Sequence, residues 1–171
     1  MKPGEQMARM GEYAVTRDAG GILTALGLGS CIGLVLVDRR TGVAGLAHVV
    51  LPAGNPAAGD PPVKYAPSGV PFLVAQVVAL GARRTRLEAV LVGGASMFAS
   101  ASNAGMEVGQ RNEAAVREEL ERLRIPVIAA ATGGNRGRTV RVHLDGCRIT
   151  AKVAGGAEEI LVEMSQVGVA A

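Results

Sequence analysis

The chain is poor in aromatic residues: 171 residues include no Trp, two Phe and two Tyr. A nucleic-acid groove usually pairs stacking aromatics with a basic stripe. Here the formal charge is only +3, the pI is near 9.2, and Arg83, Arg84 and Arg86 form the one tight basic cluster. Nucleic acid is therefore not an expected partner. The opening MKPGEQMARMGEYAV has no apolar signal core. No uninterrupted apolar run approaches the ~18 residues of a membrane helix, so no membrane insertion is expected. Cysteine and histidine are scarce as well, at two each, and their spacing fits no zinc pattern. In a reducing cytoplasm, which these features imply, a lone cysteine is catalytic or buried rather than disulfide-bonded.

With so few aromatics, the core must be built from Ala, Val, Leu and Ile, and 24 glycines suggest many tight turns. The length fits one domain over residues 1–171, with flexible ends at 1–10 and 155–171. After a Gly20-Gly21 turn, Ile22 to Leu28 is apolar. Ile32–Val37 and Val43–Leu51 read as a strand pair around a turn at 38–42. Residues 52–67, rich in Pro, Gly and Ala, read as a long surface loop. Ser68–Leu80 reads as a buried helix closed by Gly81. Leu87–Val92 and Pro126–Ala131 read as strands. Asn112 reads as the cap of a helix whose Val116, Leu120 and Leu123 share a face. Val140–Leu144 and Cys147–Val153 read as a hairpin around Asp145-Gly146. The tail after Gly155 reads as a short helix or as disorder. Strands outnumber helices and several are hairpin-linked, so the fold class is α+β with mixed or antiparallel sheets.

The densest signature is Leu26-Gly27-Leu28-Gly29-Ser30-Cys31-Ile32-Gly33. A glycine-rich turn presents its side chain sharply and leaves backbone N–H groups free. Those around Gly29, Ser30 and Cys31 would suit an oxyanion hole. Taken alone, Cys31 reads more readily as a small buried hydrophobe than as a nucleophile. His48 alters that reading. Folding at 38–42 sets Ile32–Val37 against Val43–His48, with position 48 facing roughly position 32 and lying beside Cys31. A Cys–His pair in reach is the minimum for thiol acyl transfer. His143, on the same face as Arg141, and Cys147 read as structural. No helix follows the glycines, and no acid lies near position 47, so a dinucleotide fingerprint is excluded.

LGLGSCIGLVLVD followed by AHVVLP resembles the CheD family of chemotaxis glutamine deamidases. Gly11–Val15, Lys64-Tyr65-Ala66, Gly93–Phe98, Gly109 with Arg111-Asn112, and Thr132–Arg138 follow in the family's order. The resemblance implies a layered β-sandwich with flanking helices, similar to the catalytic domain of cytotoxic necrotizing factor toxins. It implies hydrolysis of chemoreceptor glutamine carboxamides, with receptor cytoplasmic helices and a CheC-type phosphatase as partners and no cofactor or metal. The family's cysteine and histidine fall on Cys31 and His48. Its threonine, which directly precedes Leu-Gly-Leu-Gly-Ser-Cys, falls on Ala25, with Thr24 one step earlier. One step along a strand changes faces, so either a bulge restores Thr24 to His48 or another group orients the imidazole. The alternative reading is a non-catalytic regulator that uses the same surface.

Overall fold

Residues 32–38 and 43–49 are apolar or Gly at every position except Asp38 and His48. Strands of that kind must be covered on both faces. The computed structural model, which describes residues 1–97 and 107–163, meets this with three layers. One sheet has the order β2 (Tyr13–Thr16), β5 (Val43–Val49), β4 (Ile32–Asp38), β6 (Glu88–Gly93), β7 (Val127–Thr132). The other has the order β1 (Glu5–Met7), β3 (Ile22–Leu28), β8 (Arg138–His143), β9 (Arg148–Val153), β10 (Glu158–Glu163). β1 is parallel to β3 and β7 to β6, and the remaining pairs are antiparallel. The fold is thus α+β, as expected, with two mixed sheets and two α-helices among the described residues.

Alternation along β4 divides the core. Ile32, Leu34 and Leu36 pack with Leu73, Val77, Val116 and Leu120 of helices α1 (Ala66–Ala79) and α2 (Val108–Arg122). Each buried Leu or Val of this kind contributes roughly 1.5–3 kcal/mol. Cys31, Val35 and Val37 face the other way and pack with Leu23, Ala25, Leu28, Val140 and Ile149 of the second sheet. The sheets approach closely at Gly33, where a Cβ would lie 2.8 Å from Leu28 Cδ1 and 3.1 Å from Val140 Cγ1.

Four local expectations need correction. Residues 1–10, expected as a flexible end, carry β1 and a buried Ala8. The tail is neither helix nor disorder over Glu158–Glu163, which pairs with β9 as an edge strand. Its exposed, acid-rich sequence hides the strand period. Cys147 sits in the turn before β9, at φ 48°, rather than opening the strand. Asn112 lies inside α2, whose N-cap is Glu107. Gly81 does close α1: at φ 114° it allows the amides of Gly81 and Ala82 to reach back to the carbonyls of Val78 and Val77.

Candidate active site

The register of β4 against β5 decides what Cys31 meets. Asp38 stays in β4, opposite Val43, because its buried carboxylate is held by Arg86 (Nη2 to Oδ2 2.8 Å) and by the Arg83 amide (2.8 Å). The turn is therefore residues 39–42, and His48 pairs with Gly33 rather than position 32. The one-residue difference matters, since a slip of one exchanges faces. Opposite position 32, His48 would share the face of Ile32. Opposite Gly33, it shares the face of Cys31, diagonally across the strand pair.

Residues 8–12 wrap around His48. The amide of Gly11 donates to the His48 carbonyl at 2.9 Å, and the His48 amide donates to Glu12 O at 3.0 Å. The imidazole Nδ1 lies 3.1 Å from the Ala8 carbonyl. A carbonyl only accepts, so Nδ1 carries the proton and neutral His48 presents Nε2 as its lone-pair nitrogen. Nε2 is buried and has no hydrogen-bond partner among the described residues. Burial pushes the His48 pKa below its ordinary value, more strongly than the Ala8 carbonyl and Glu12 raise it. Burial also pushes the Cys31 thiol up, against a smaller opposing effect of its own backbone amide. Both shifts favour an uncharged resting pair, thiol and neutral imidazole.

The turn before Cys31 is pinned through its carbonyls. Gly29 O accepts from the Ala95 amide at 2.8 Å, and Cys31 O accepts from the Gly94 amide at 2.9 Å. Gly93, at φ 117°, leaves no room for a side chain: a Cβ there would lie 2.1 Å from Cys31 O. Gly109, in the first turn of α2, also packs closely: a Cβ there would lie 2.4 Å from Ala95 O and 2.6 Å from Gly94 O. The glycine motifs scattered through the sequence thus converge on this one turn. Of the expected oxyanion donors, Gly29 is occupied, since its amide donates to Gly27 O at 3.0 Å. The amides of Ser30 and Cys31 donate to no backbone carbonyl among the described residues, and the Cys31 amide acts only on its own thiol.

The structure does not bring Thr24 to His48. β3 does carry an irregularity, but it falls between Ala25 and Leu28, beyond Thr24. Leu23 and Ala25 face the inter-sheet core, so Thr24 points away from it, still buried, and its hydroxyl donates to Glu5 Oε1 at 2.7 Å. His143 lies on that same outer face, paired with Ile22, and Cys147 is half-buried on the sheet interface. The group that orients His48 is a backbone carbonyl, that of Ala8, which no side-chain pattern could signal. Asn112 was also missed as part of the site: its Nδ2 donates to Ser30 O at 2.8 Å and to Val50 O at 2.9 Å.

Residues 50–153 match the family model described as CheD chemotactic sensory transduction. The chain is 40% identical over 154 residues to the chemoreceptor glutamine deamidase CheD of Thermotoga maritima, covering 90% of this chain and 95% of that protein. It is 41% identical over 148 residues to a probable chemoreceptor glutamine deamidase CheD of Caldanaerobacter subterraneus, covering 85% and 91%. A protein of the same description from Pyrococcus abyssi is 41% identical over 155 residues, covering 86% and 91%.

Proposed function

The chain belongs to the CheD family, and from that premise we propose that it is a chemoreceptor glutamine deamidase with Cys31 as nucleophile and His48 as general base. The observation that carries the assignment is the shared face of Cys31 and His48, with His48 Nδ1 locked on Ala8 and Nε2 unpaired. A base held in one tautomer with its lone pair free is prepared to take a thiol proton.

The reaction begins from the uncharged pair. His48 Nε2 removes the Cys31 proton as sulfur attacks the carboxamide carbon of a receptor glutamine. The carbonyl oxygen, now an oxyanion, accepts from the amides of Ser30 and Cys31. The tetrahedral adduct collapses, the C–N bond breaks, and His48 returns the proton to the departing ammonia. A thioester remains. Water, deprotonated by His48, attacks it, and glutamate and free Cys31 thiol are released. Apo geometry need not show the Cys–His hydrogen bond, because such contacts tighten on substrate binding.

The chemistry belongs to the cytoplasm, where receptor signalling helices lie, and no helix of the described residues is long and apolar enough to cross a membrane. The described residues form one deamidase unit, since both sheets share a core. A likeness to the cytotoxic necrotizing factor catalytic domain is part of the same proposal, supported by the two packed sheets with Cys31 and His48 beside adjacent strands. A CheC-type phosphatase as regulatory partner rests on the family resemblance alone. Ammonia release from a receptor cytoplasmic fragment tests the activity. Wild-type protein should release it, whereas Cys31→Ala and His48→Ala should not. Release by Cys31→Ala at the wild-type rate would refute the assignment.

A further inference from the structure

Asn112 occupies a costly position. It sits in the second turn of α2, fully buried, with its Oδ1 unpaired among the described residues. Asn is a modest helix former, and a buried amide without partners is unfavourable. Its amide nitrogen, however, bridges two strand ends. The β4–β5 ladder closes at Ile32 opposite Val49. Beyond it the strands part, and the Val50 amide turns away to Lys64 O at 3.0 Å. Asn112 Nδ2 supplies the missing rung, donating to Ser30 O on one side and Val50 O on the other. Both partners are carbonyls, so the amide can sit only one way round. The helix is itself seated, with Val116 and Leu120 in the core one and two turns on.

The Ser30 carbonyl and the Cys31 N–H belong to one peptide unit. That unit is planar, and in the trans form the two groups point in opposite directions. No cis bond occurs among the described residues. Whatever holds the Ser30 oxygen therefore also sets the direction of the Cys31 N–H. We infer that Asn112 is a positioning residue of the deamidase: by holding the Ser30 carbonyl, it aims the Cys31 amide as an oxyanion donor. The bond also polarises that peptide, making its N–H a stronger donor. This inference rests on the proposed deamidase reading.

Two reactions of the same thiol separate this role from simple scaffolding. Deamidation passes through an oxyanion; alkylation by iodoacetamide is a displacement that forms none. Both would be measured for wild type, Asn112→Ala and the shape-conserving Asn112→Asp, in a Cys147→Ser background, with thermal melts as the fold control. The expected result is a kcat lower by about 10- to 100-fold for both variants, with KM little changed. On the high-pH plateau, where the thiol is fully ionised, the alkylation rate of Cys31 should stay at the wild-type value, while its pH profile moves upward because the Cys31 amide lowers the thiol in wild type. Asn112→Ser, which keeps one donor, should lie between and serves where Asn112→Ala does not fold. A folded variant with kcat within threefold of wild type overturns the inference. So does a parallel loss in the plateau alkylation rate, which would make Asn112 a scaffold for the whole turn. Absence of turnover by wild type would overturn the deamidase reading, and the inference with it.

Discussion

Replacing Gly93 by Ala should disable the enzyme from outside the Cys–His pair. Gly93 sits at φ 117°, in a region that L side chains rarely adopt. Its new Cβ would lie 2.1 Å from Cys31 O, against a floor of 3.0 Å for real Cβ contacts. About 0.9 Å must be made up, and the atom that has to move belongs to the backbone of Cys31, the proposed nucleophile. The left-handed conformation costs about 1–2 kcal/mol, and overpacking adds about 1–3 kcal/mol. A displacement near 1 Å in a reacting group can cost about 100-fold in rate. Gly93→Ala should therefore lose about 2–5 kcal/mol in urea unfolding and about 100-fold in kcat/KM for ammonia release. Gly42→Ala is the control. Gly42 is also at positive φ, 69°, but a Cβ there meets nothing within 4 Å. It should show the backbone cost alone, with turnover unchanged. A folded Gly93→Ala protein whose kcat/KM lies within threefold of wild type would refute the close-packing argument.

Further outcomes follow from the same geometry. Thr24→Ala should leave kcat and KM within about twofold of wild type while losing about 1 kcal/mol of stability, because its hydroxyl serves Glu5 rather than His48; a rate as low as that of His48→Ala would place Thr24 in the site. The His48 pKa is lowered from its ordinary 6.5 and the neutral form is the base, so kcat/KM should be level just above pH 6.5 and fall only below it; an acid limb centred above 6.5 would contradict the buried, neutral imidazole. The same shift makes His48's contribution to stability full above pH 6.5 and progressively lost on acidification toward its folded pKa, because the unfolded chain takes up the proton first. Asp38→Ala should cost about 3 kcal/mol in urea unfolding, since it strands Arg86 and the Arg83 amide. Arg86 and the amides of Arg83 and Arg40 hold the Asp38 carboxyl well below its ordinary 3.8, despite its burial, so the wild-type advantage should be full above pH 3.8 and shrink below it; an equal midpoint for both proteins at neutral pH would remove Asp38 from the turn's support.

The parts of this site legible in the sequence were those carried by rare side chains. Cys31 follows a glycine turn, His48 is one of two histidines, and a short turn joins their strands. The register was less legible. Asp38 beside Arg39 and Arg40 resembles a turn, and only the distant Arg83 and Arg86 keep it in β4. Asn112 looked like a cap because Asn favours caps, and its burial beneath Ser30 depends on tertiary packing alone. The Ala8 carbonyl left no trace at all: the polar sequence around it reads as a loose end, whereas its backbone grips His48. Thr24 was a question of strand parity, settled by which neighbours face the core.

The most direct test of the central claim is the mass of glutamine-bearing peptides from a chemoreceptor cytoplasmic fragment, incubated with wild-type protein, Cys31→Ala and His48→Ala in parallel. Replacing the amide NH₂ by OH through a thioester adds about 1 Da to each substrate glutamine. The gain is expected with wild type alone, at particular glutamines, with both variants leaving the peptides unchanged. The same gain with Cys31→Ala, or none with folded wild type, would contradict a Cys31–His48 deamidase.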